Sequence, residues 1–156
     1  MHEATNVILI GATGHIGSWV HRYLIEQGFL VTACARNRVP LPLDLERATE
    51  WRIVDLADAA SLKEAFNFRA HQFFIHLASE KSVPNAEKNP EHAIEVNVCG
   101  TAHVLAAASA AGVRAGIFAS SWAVYEPRND AGHDYREEDP CGPTTVYGMT
   151  KRIGED

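Results

Sequence analysis

Apolar and polar positions along this chain switch repeatedly between two periods, and the switches lay out a fold. Residues 6–12 (NVILIGA) form a near-continuous apolar run ended by glycine, the pattern of a strand buried on both faces. From His15 to Gln27 the apolar Ile16, Trp19, Val20, Tyr23 and Leu24 recur at helical spacing, and Gly28 is a natural stop. A second buried strand is predicted over 29–35 (FLVTACA). The loop RNRVPLPLD follows, its two prolines blocking helix and central strand alike. A third strand over 51–58 (WRIVDLAD) leads into a helix over 58–68 with Leu62, Ala65 and Phe66 on one face. A fourth strand covers 72–78. A long helix over 89–112 opens on Asn89 and Pro90 and ends at Gly112. A fifth strand covers 113–121, a polar loop with two acidic clusters and three prolines covers 126–143, and a last helix starts near Thr144.

Strands alternating with helices imply an α/β architecture: a doubly wound parallel sheet, Rossmann-like, with right-handed crossovers and helices on both faces. The 156 residues suffice for one domain with a sizeable core, and there is no internal repeat or low-complexity segment. In such sheets ligands bind outside the carboxyl ends of the strands. Each candidate motif falls at one of those ends.

Composition narrows the partners. A net charge of −6 with no basic stripe argues against nucleic acid. Three widely spaced cysteines, Cys34, Cys99 and Cys141, form neither a disulfide framework nor a metal pattern and suggest a reducing compartment. The eight histidines show no ligand spacing, so no metal is expected. No signal peptide and no stretch fit to span a bilayer are read from the sequence, which points to the cytoplasm and away from a membrane.

The turn GATGHIG sets Gly11, Gly14 and Gly17 between the first strand and first helix. Glycine there permits a tight turn and lets backbone N–H groups approach a pyrophosphate, while the helix N-terminus adds partial positive charge. The plain alternative is a tight loop without ligand, but the strand-before, helix-after context favours a nucleotide phosphate. A carboxylate at the end of the second strand would bond ribose hydroxyls and select NAD, whereas arginine accepts the 2′-phosphate of NADP. That end reads Ala35-Arg36-Asn37-Arg38, so NADP is favoured over NAD, with Arg36 as phosphate ligand unless both arginines are simply solvated.

Tyr147 and Lys151 are four residues apart and share a helix face. A free phenol, with a pKa of about 10, is a poor base at neutral pH, and a neighbouring ammonium stabilises its anion. Tyr147 is thus suited to general acid–base work, Lys151 to supporting it and bonding a nicotinamide ribose, and Ser121 at a strand end to bonding a substrate oxygen. Alone, the tyrosine–lysine pair could equally be a surface helix.

Taken in order, GATGHIG, DLAD (55–58), HLAS (76–79), NVCGT (97–101), SSWAVY (120–125) and YGMTK (147–151) resemble the extended short-chain dehydrogenase/reductases, the NAD(P)-dependent epimerase/dehydratase family. The resemblance spans nearly the whole chain. It implies Tyr147 as catalytic acid/base, Lys151 as its partner and ribose ligand, and Ser121 as the substrate-oxygen donor. Asn97 becomes a structural or proton-relay asparagine. It further implies cofactor contacts from Gly11, Thr13, Gly14, His15, Ile16 and Gly17, from Asp55 and Leu56 along the adenine, from Leu77, Ala78 and Ser79 along the central part, and from Lys81. A nucleotide sugar is the first expectation for substrate, with small hydroxy or keto compounds second, and a homodimer through the long helix and the tyrosine helix is in keeping with the family. Two residues depart from the pattern: Trp122 is bulkier than the small residue usual after the serine, and Glu126 stands where glycine is usual.

Family members run to roughly twice this length, their later part completing the sheet and building most of the substrate site. The chain therefore reads as an incomplete dinucleotide-binding domain, truncated after the fifth strand and catalytic helix, without the C-terminal substrate domain. By itself it is expected to bind the adenosine half of a dinucleotide weakly and not to turn over substrate. The competing reading is a non-catalytic NAD(P) sensor on the same fold, against which the serine, tyrosine and lysine together argue.

Overall fold

The computed structural model describes residues 5–41, 43–128 and 134–156, without the side chains of Leu43 and Asp44. Expectations touching residues 1–4, Pro42, the Asp44 carboxylate and the middle of the 126–143 loop lie outside the described residues. Five parallel strands form one sheet in the order β3-β2-β1-β4-β5: β1 (Asn6–Ile10), β2 (Leu30–Ala35), β3 (Thr49–Ile53), β4 (Phe73–His76) and β5 (Ala115–Phe118). The order reverses direction after β3, so β1 and β4 flank a switch point at their carboxyl ends.

The chain divides into two compact units. The first comprises residues 1–78 and 100–119 and contains the whole sheet. On one sheet face Val7, Leu9, Val31 and Ala33 pack with Leu24 and Val20 of helix α1 (His15–Glu26). Burying these chains is what makes an apolar run choose a central strand. On the other face α3 (Ala59–Asn67) and α6 (Gly100–Ala110) pack against each other, and α3 buries Leu62, Ala65 and Phe66, the three residues the sequence set on one face. Polar groups on this face are paired: His71 Nε2 with Thr32 Oγ1 at 2.9 Å, and His76 Nε2 with Thr101 Oγ1 at 3.2 Å. Helices thus lie on both faces, as the alternation required. On the α1 face, Phe73 of β4 and Ile117 of β5 remain exposed.

A short helix, α2 (Leu43–Ala48), occupies what the sequence left as loop, and β3 begins two residues earlier than predicted. Its register explains the shift: Val31 pairs with Thr49 and Ala35 with Ile53, so the strand starts where its neighbour does. As the edge strand it is only half-buried and needs no apolar run there.

The second unit comprises residues 79–99 and 120–156. It holds α4 (Val83–Lys88), α5 (Pro90–Ile94), the π-helical turn Glu95–Cys99, the 3₁₀ turn Trp122–Val124 and α7 (Val146–Glu155). Helix α4 was not anticipated; Ser82 caps it and Pro84 sits in its first turn, where a missing N–H costs nothing. Residues Pro90–Ala110 run as one 21-residue helix with a mean hydropathy of 1.2, long and apolar enough to cross a membrane. The expectation that no stretch meets that test is therefore corrected. The helix buries Ala93, Asn97, Thr101, Val104, Ala107 and Ala108 within the protein and leaves Ile94 and Leu105 exposed.

Candidate active site

In the first unit the predicted cofactor residues lie just past the carboxyl ends of β1, β2, β3 and β4. Gly11 has φ +92°, and a Cβ there would lie 2.7 Å from the Ala78 backbone N. A Cβ on Gly17 would come within 2.0 Å of the Gly11 carbonyl oxygen. Both positions demand glycine for close backbone approach, and Gly11 for its sign of φ as well. The Gly11 and Ala12 N–H groups donate to the Cys34 carbonyl at 2.9 and 3.2 Å, tying the turn to β2. Gly14 caps α1 without a side chain to bond the first-turn N–H groups, and that turn carries no acidic residue. Such an end is chemically suited to a pyrophosphate. Thr13, Gly14, His15 and Ile16 are exposed along it, and Gly17 is buried.

Arg36 is exposed just past β2 and makes no ion pair among the described residues, whereas Arg38 is engaged by Glu46. Asp55 is exposed, its carboxylate accepting from the Ala57 N–H at 3.0 Å. Leu56 is buried: its side chain fills the space beside Gly100, and its carbonyl accepts from His103 Nδ1 at 2.9 Å. In the second unit Ser79 and Glu80 are half-buried and Lys81 is exposed, while in the first unit Leu77 and Ala78 are half-buried directly after β4. A groove of about 620 Å³ elsewhere in this unit, between Arg52 and Phe68, contains none of the predicted residues.

The four predicted catalytic residues all belong to the second unit. Ser121 caps the 3₁₀ turn, its Oγ accepting from the Ala123 N–H at 3.2 Å. A hydroxyl used as acceptor keeps its proton to donate. Tyr147 and Lys151 lie one turn apart on α7, with Lys151 Nζ 6.0 Å from the Tyr147 ring centroid. Lys151 is 3% exposed, and burial pulls its pKa from 10.5 down to about 8, because the charged form loses hydration.

Helix α7 is fixed at both its start and its middle. Thr145 Oγ1 accepts from the Gly148 N–H at 3.0 Å, and Glu87 Oε1 accepts from the Val146 N–H at 2.7 Å. Gly148 packs so tightly on the 3₁₀ turn that a Cβ would sit 2.3 Å from the Ala123 carbonyl oxygen. Deeper in, the buried Asn97 accepts from the Glu80 N–H at 2.7 Å and donates to the Glu80 carbonyl at 3.1 Å and to Thr150 Oγ1 at 3.0 Å. Thr150 in turn donates to the Tyr147 carbonyl at 2.8 Å. Asn97 thereby links the segment after β4 to the backbone of the tyrosine helix. Its place on the π-helical turn fits the habit of such turns to mark functional positions.

Sequence reasoning missed Thr150, Glu80, Glu87 and the cap by Thr145. Only Thr145 carried a signal, a threonine directly before the periodic segment. The others act through tertiary contacts that no local pattern encodes.

Comparison with known proteins places these features. The model of the NAD dependent epimerase/dehydratase family matches residues 7–156. UDP-glucose 4-epimerase 2 of Oryza sativa subsp. japonica is 31% identical over 96% of this chain and 39% of its own length. dTDP-4-dehydrorhamnose reductase of Streptomyces griseus is 30% identical over 95% of this chain and 43% of its own. The UDP-glucose 4-epimerase of Thermus thermophilus, solved in complex with NAD, superposes with a TM-score of 0.88 at 25% identity, covering 97% of this chain and 49% of the other. The chain spans less than half the length of these relatives. With a family model matched from the first strand to its last residue, the chain belongs to the NAD dependent epimerase/dehydratase family.

Proposed function

We propose that this chain is the cofactor-binding and proton-transfer half of an NAD(P)-dependent cytoplasmic enzyme. The reaction is hydride transfer at a hydroxyl-bearing carbon of a nucleotide sugar, as in an epimerase, dehydratase or related reductase. The observation that carries the reading is the buried Lys151 one turn from Tyr147, on a helix anchored through Thr150 to Asn97. A protein that merely needed a stable helix has no reason to bury an ammonium there, since the burial costs stability.

The bound dinucleotide supplies the hydride acceptor and donor. The chain's own groups do the rest. Gly11, Gly14 and the first turn of α1 offer N–H groups to the pyrophosphate. Ser121 donates its hydroxyl proton to the substrate oxygen, and Tyr147 takes or returns the proton of that oxygen as it changes between hydroxyl and carbonyl. Lys151, still largely protonated at neutral pH, offers N–H donors to the ribose. Arg36, with no carboxylate at Ala35, supports acceptance of NADP as well as the NAD named with the Thermus relative. Most of the substrate site is assigned to the part of the relatives that this chain does not span, with Ser121 and Tyr147 supplied by this chain. The exposed Phe73 and Ile117 of the sheet and Met149 and Ile153 of α7 support that reading.

The test is calorimetric titration of the purified chain with NAD and NADP, with sugar-nucleotide turnover assayed in parallel. Weak binding of both, tighter for NADP and reduced to the NAD level by Arg36→Ala, is expected, without multiple turnover. Steady turnover by the chain at this mass overturns the half-enzyme reading. Absence of any dinucleotide binding at millimolar concentration overturns the cofactor assignment.

A further inference from the structure

The residue after Ser121 sets what can lie beside it. Trp122 is 72% exposed, an arrangement that contributes little to folding for so large an apolar side chain. Its indole nevertheless belongs to an ordered row. The Tyr135 ring stacks on it with centroids 6.4 Å apart and planes at 29°, and Tyr125 stacks on Tyr135 at 5.1 Å and 14°.

The row is pinned by backbone. The Tyr135 hydroxyl donates to the Glu126 carbonyl at 3.2 Å, and Tyr125 forms an antiparallel bridge with Cys141. The Gly142 N–H donates to the Val124 carbonyl at 3.1 Å, and the Glu126 N–H to that of Pro140 at 3.3 Å. A fixed aromatic surface therefore adjoins the serine, at low conformational-entropy cost to anything that stacks on it.

We propose that Trp122, backed by Tyr135 and Tyr125, is a specificity-determining residue whose indole face receives the apolar C–H face of the substrate's sugar ring. The proposal rests on the nucleotide-sugar reading above. Consecutive Cα atoms are about 3.8 Å apart, so one ligand ring can meet both the Trp122 indole and the Ser121 hydroxyl. That ring carries the reacting hydroxyl and is the sugar, not the base beyond the diphosphate. A hexose turns C–H bonds to the electron-rich face of the indole and keeps its hydroxyls at the rim for Ser121 and Tyr147. A sugar with an axial polar substituent on the stacking face is disfavoured, which makes Trp122 a selector among sugars.

The three tryptophans, Trp19, Trp51 and Trp122, give three indole N–H signals in a ¹⁵N-labelled sample of the chain, and Trp122→Phe assigns the relevant one. UDP-glucose is expected to move the Trp122 signal and leave the other two, and UDP alone to leave all three. Trp122→Leu is expected to weaken UDP-glucose binding roughly three- to tenfold without changing UDP binding. The proposal is overturned if UDP moves the Trp122 signal as far as UDP-glucose does, which would make the base the stacking ring. It is also overturned if UDP-glucose leaves that signal in place, whether or not the Ser121 and Tyr147 amides respond. NAD titrated into the same sample tests the parent reading separately, because loss of its effect at Gly11–Gly17 contradicts the enzyme assignment and not the stacking surface alone.

Discussion

Replacing Lys151 by Met is expected to stabilise the protein at neutral pH. Methionine keeps an unbranched chain of similar length but has no charge to desolvate. A lysine whose pKa falls from 10.5 to about 8 on folding carries a penalty of about 3 kcal/mol, at roughly 1.4 kcal/mol per tenfold change in proton affinity. With the side chain 3% exposed, solvent screening does little to reduce that figure. The lost attraction between the ammonium and the Tyr147 ring offsets at most about 1 kcal/mol, given the 6.0 Å separation. The net gain at pH 7 is therefore at most about 2 kcal/mol, or roughly 4–8 °C in Tm for a chain of this size, less the contribution of the ammonium's other contacts.

The pH dependence gives a sharper readout. Below pH 8 both folded and unfolded Lys151 are protonated and the whole penalty is present. Between about 8 and 10.5 the unfolded state binds more protons than the folded state, so the wild type gains stability as pH rises and the Lys151→Met variant does not share the gain. Urea denaturation of both proteins at intervals from pH 7 to pH 10 measures the difference, and titrations common to the two cancel. A variant no more stable than wild type at pH 7, with a gap that stays flat up to pH 10, would refute the reasoning.

Three further outcomes follow from the same geometry. Gly17→Ala drives a methyl group into the Gly11 carbonyl, so a loss of about 1–3 kcal/mol or more in urea denaturation is expected, together with weaker dinucleotide binding. Thr150→Val leaves the Asn97 amide without one buried partner and should cost about 1–3 kcal/mol, while detaching that link from the tyrosine backbone. Cys34 is buried, which pushes its thiol up to about 12, whereas Cys99 and Cys141 are exposed; a thiol reagent should modify two cysteines in the native chain at pH 8 and all three after unfolding.

The parts of this structure that were legible in sequence are those specified locally. The run NVILI has one way to bury both its faces, and the glycines of GATGHIG mark a tight turn between a strand and a helix. Helix α3 was readable from Leu62, Ala65 and Phe66 because its burial follows its own period. The losses came where position in the sheet or the far end of the chain decided. Edge strand β3 takes its start from pairing with β2 and not from its composition. Helix α2 follows a loop whose two prolines read as breakers, and α4 carries Pro84 within its first turn. The π-helical turn inside Pro90–Ala110 has no compositional mark, yet it sets the position of Asn97. In the candidate site Ser121, Tyr147 and Lys151 were visible as residue types at meaningful spacing. Thr150 and Glu87 were not, since one is joined to Asn97 across 53 residues and the other to Val146 across 59.

We propose that a nicotinamide dinucleotide is held by the glycine turn at the start of α1. Amide and side-chain NMR of the ¹⁵N-labelled chain during NADP titration tests it most directly. Shifts concentrated at Gly11–Gly17, Arg36 and Ala78 are expected, as is their loss in Gly17→Ala. Shifts confined to the Arg52–Phe68 groove, or a glycine turn that does not respond to the dinucleotide, would contradict it.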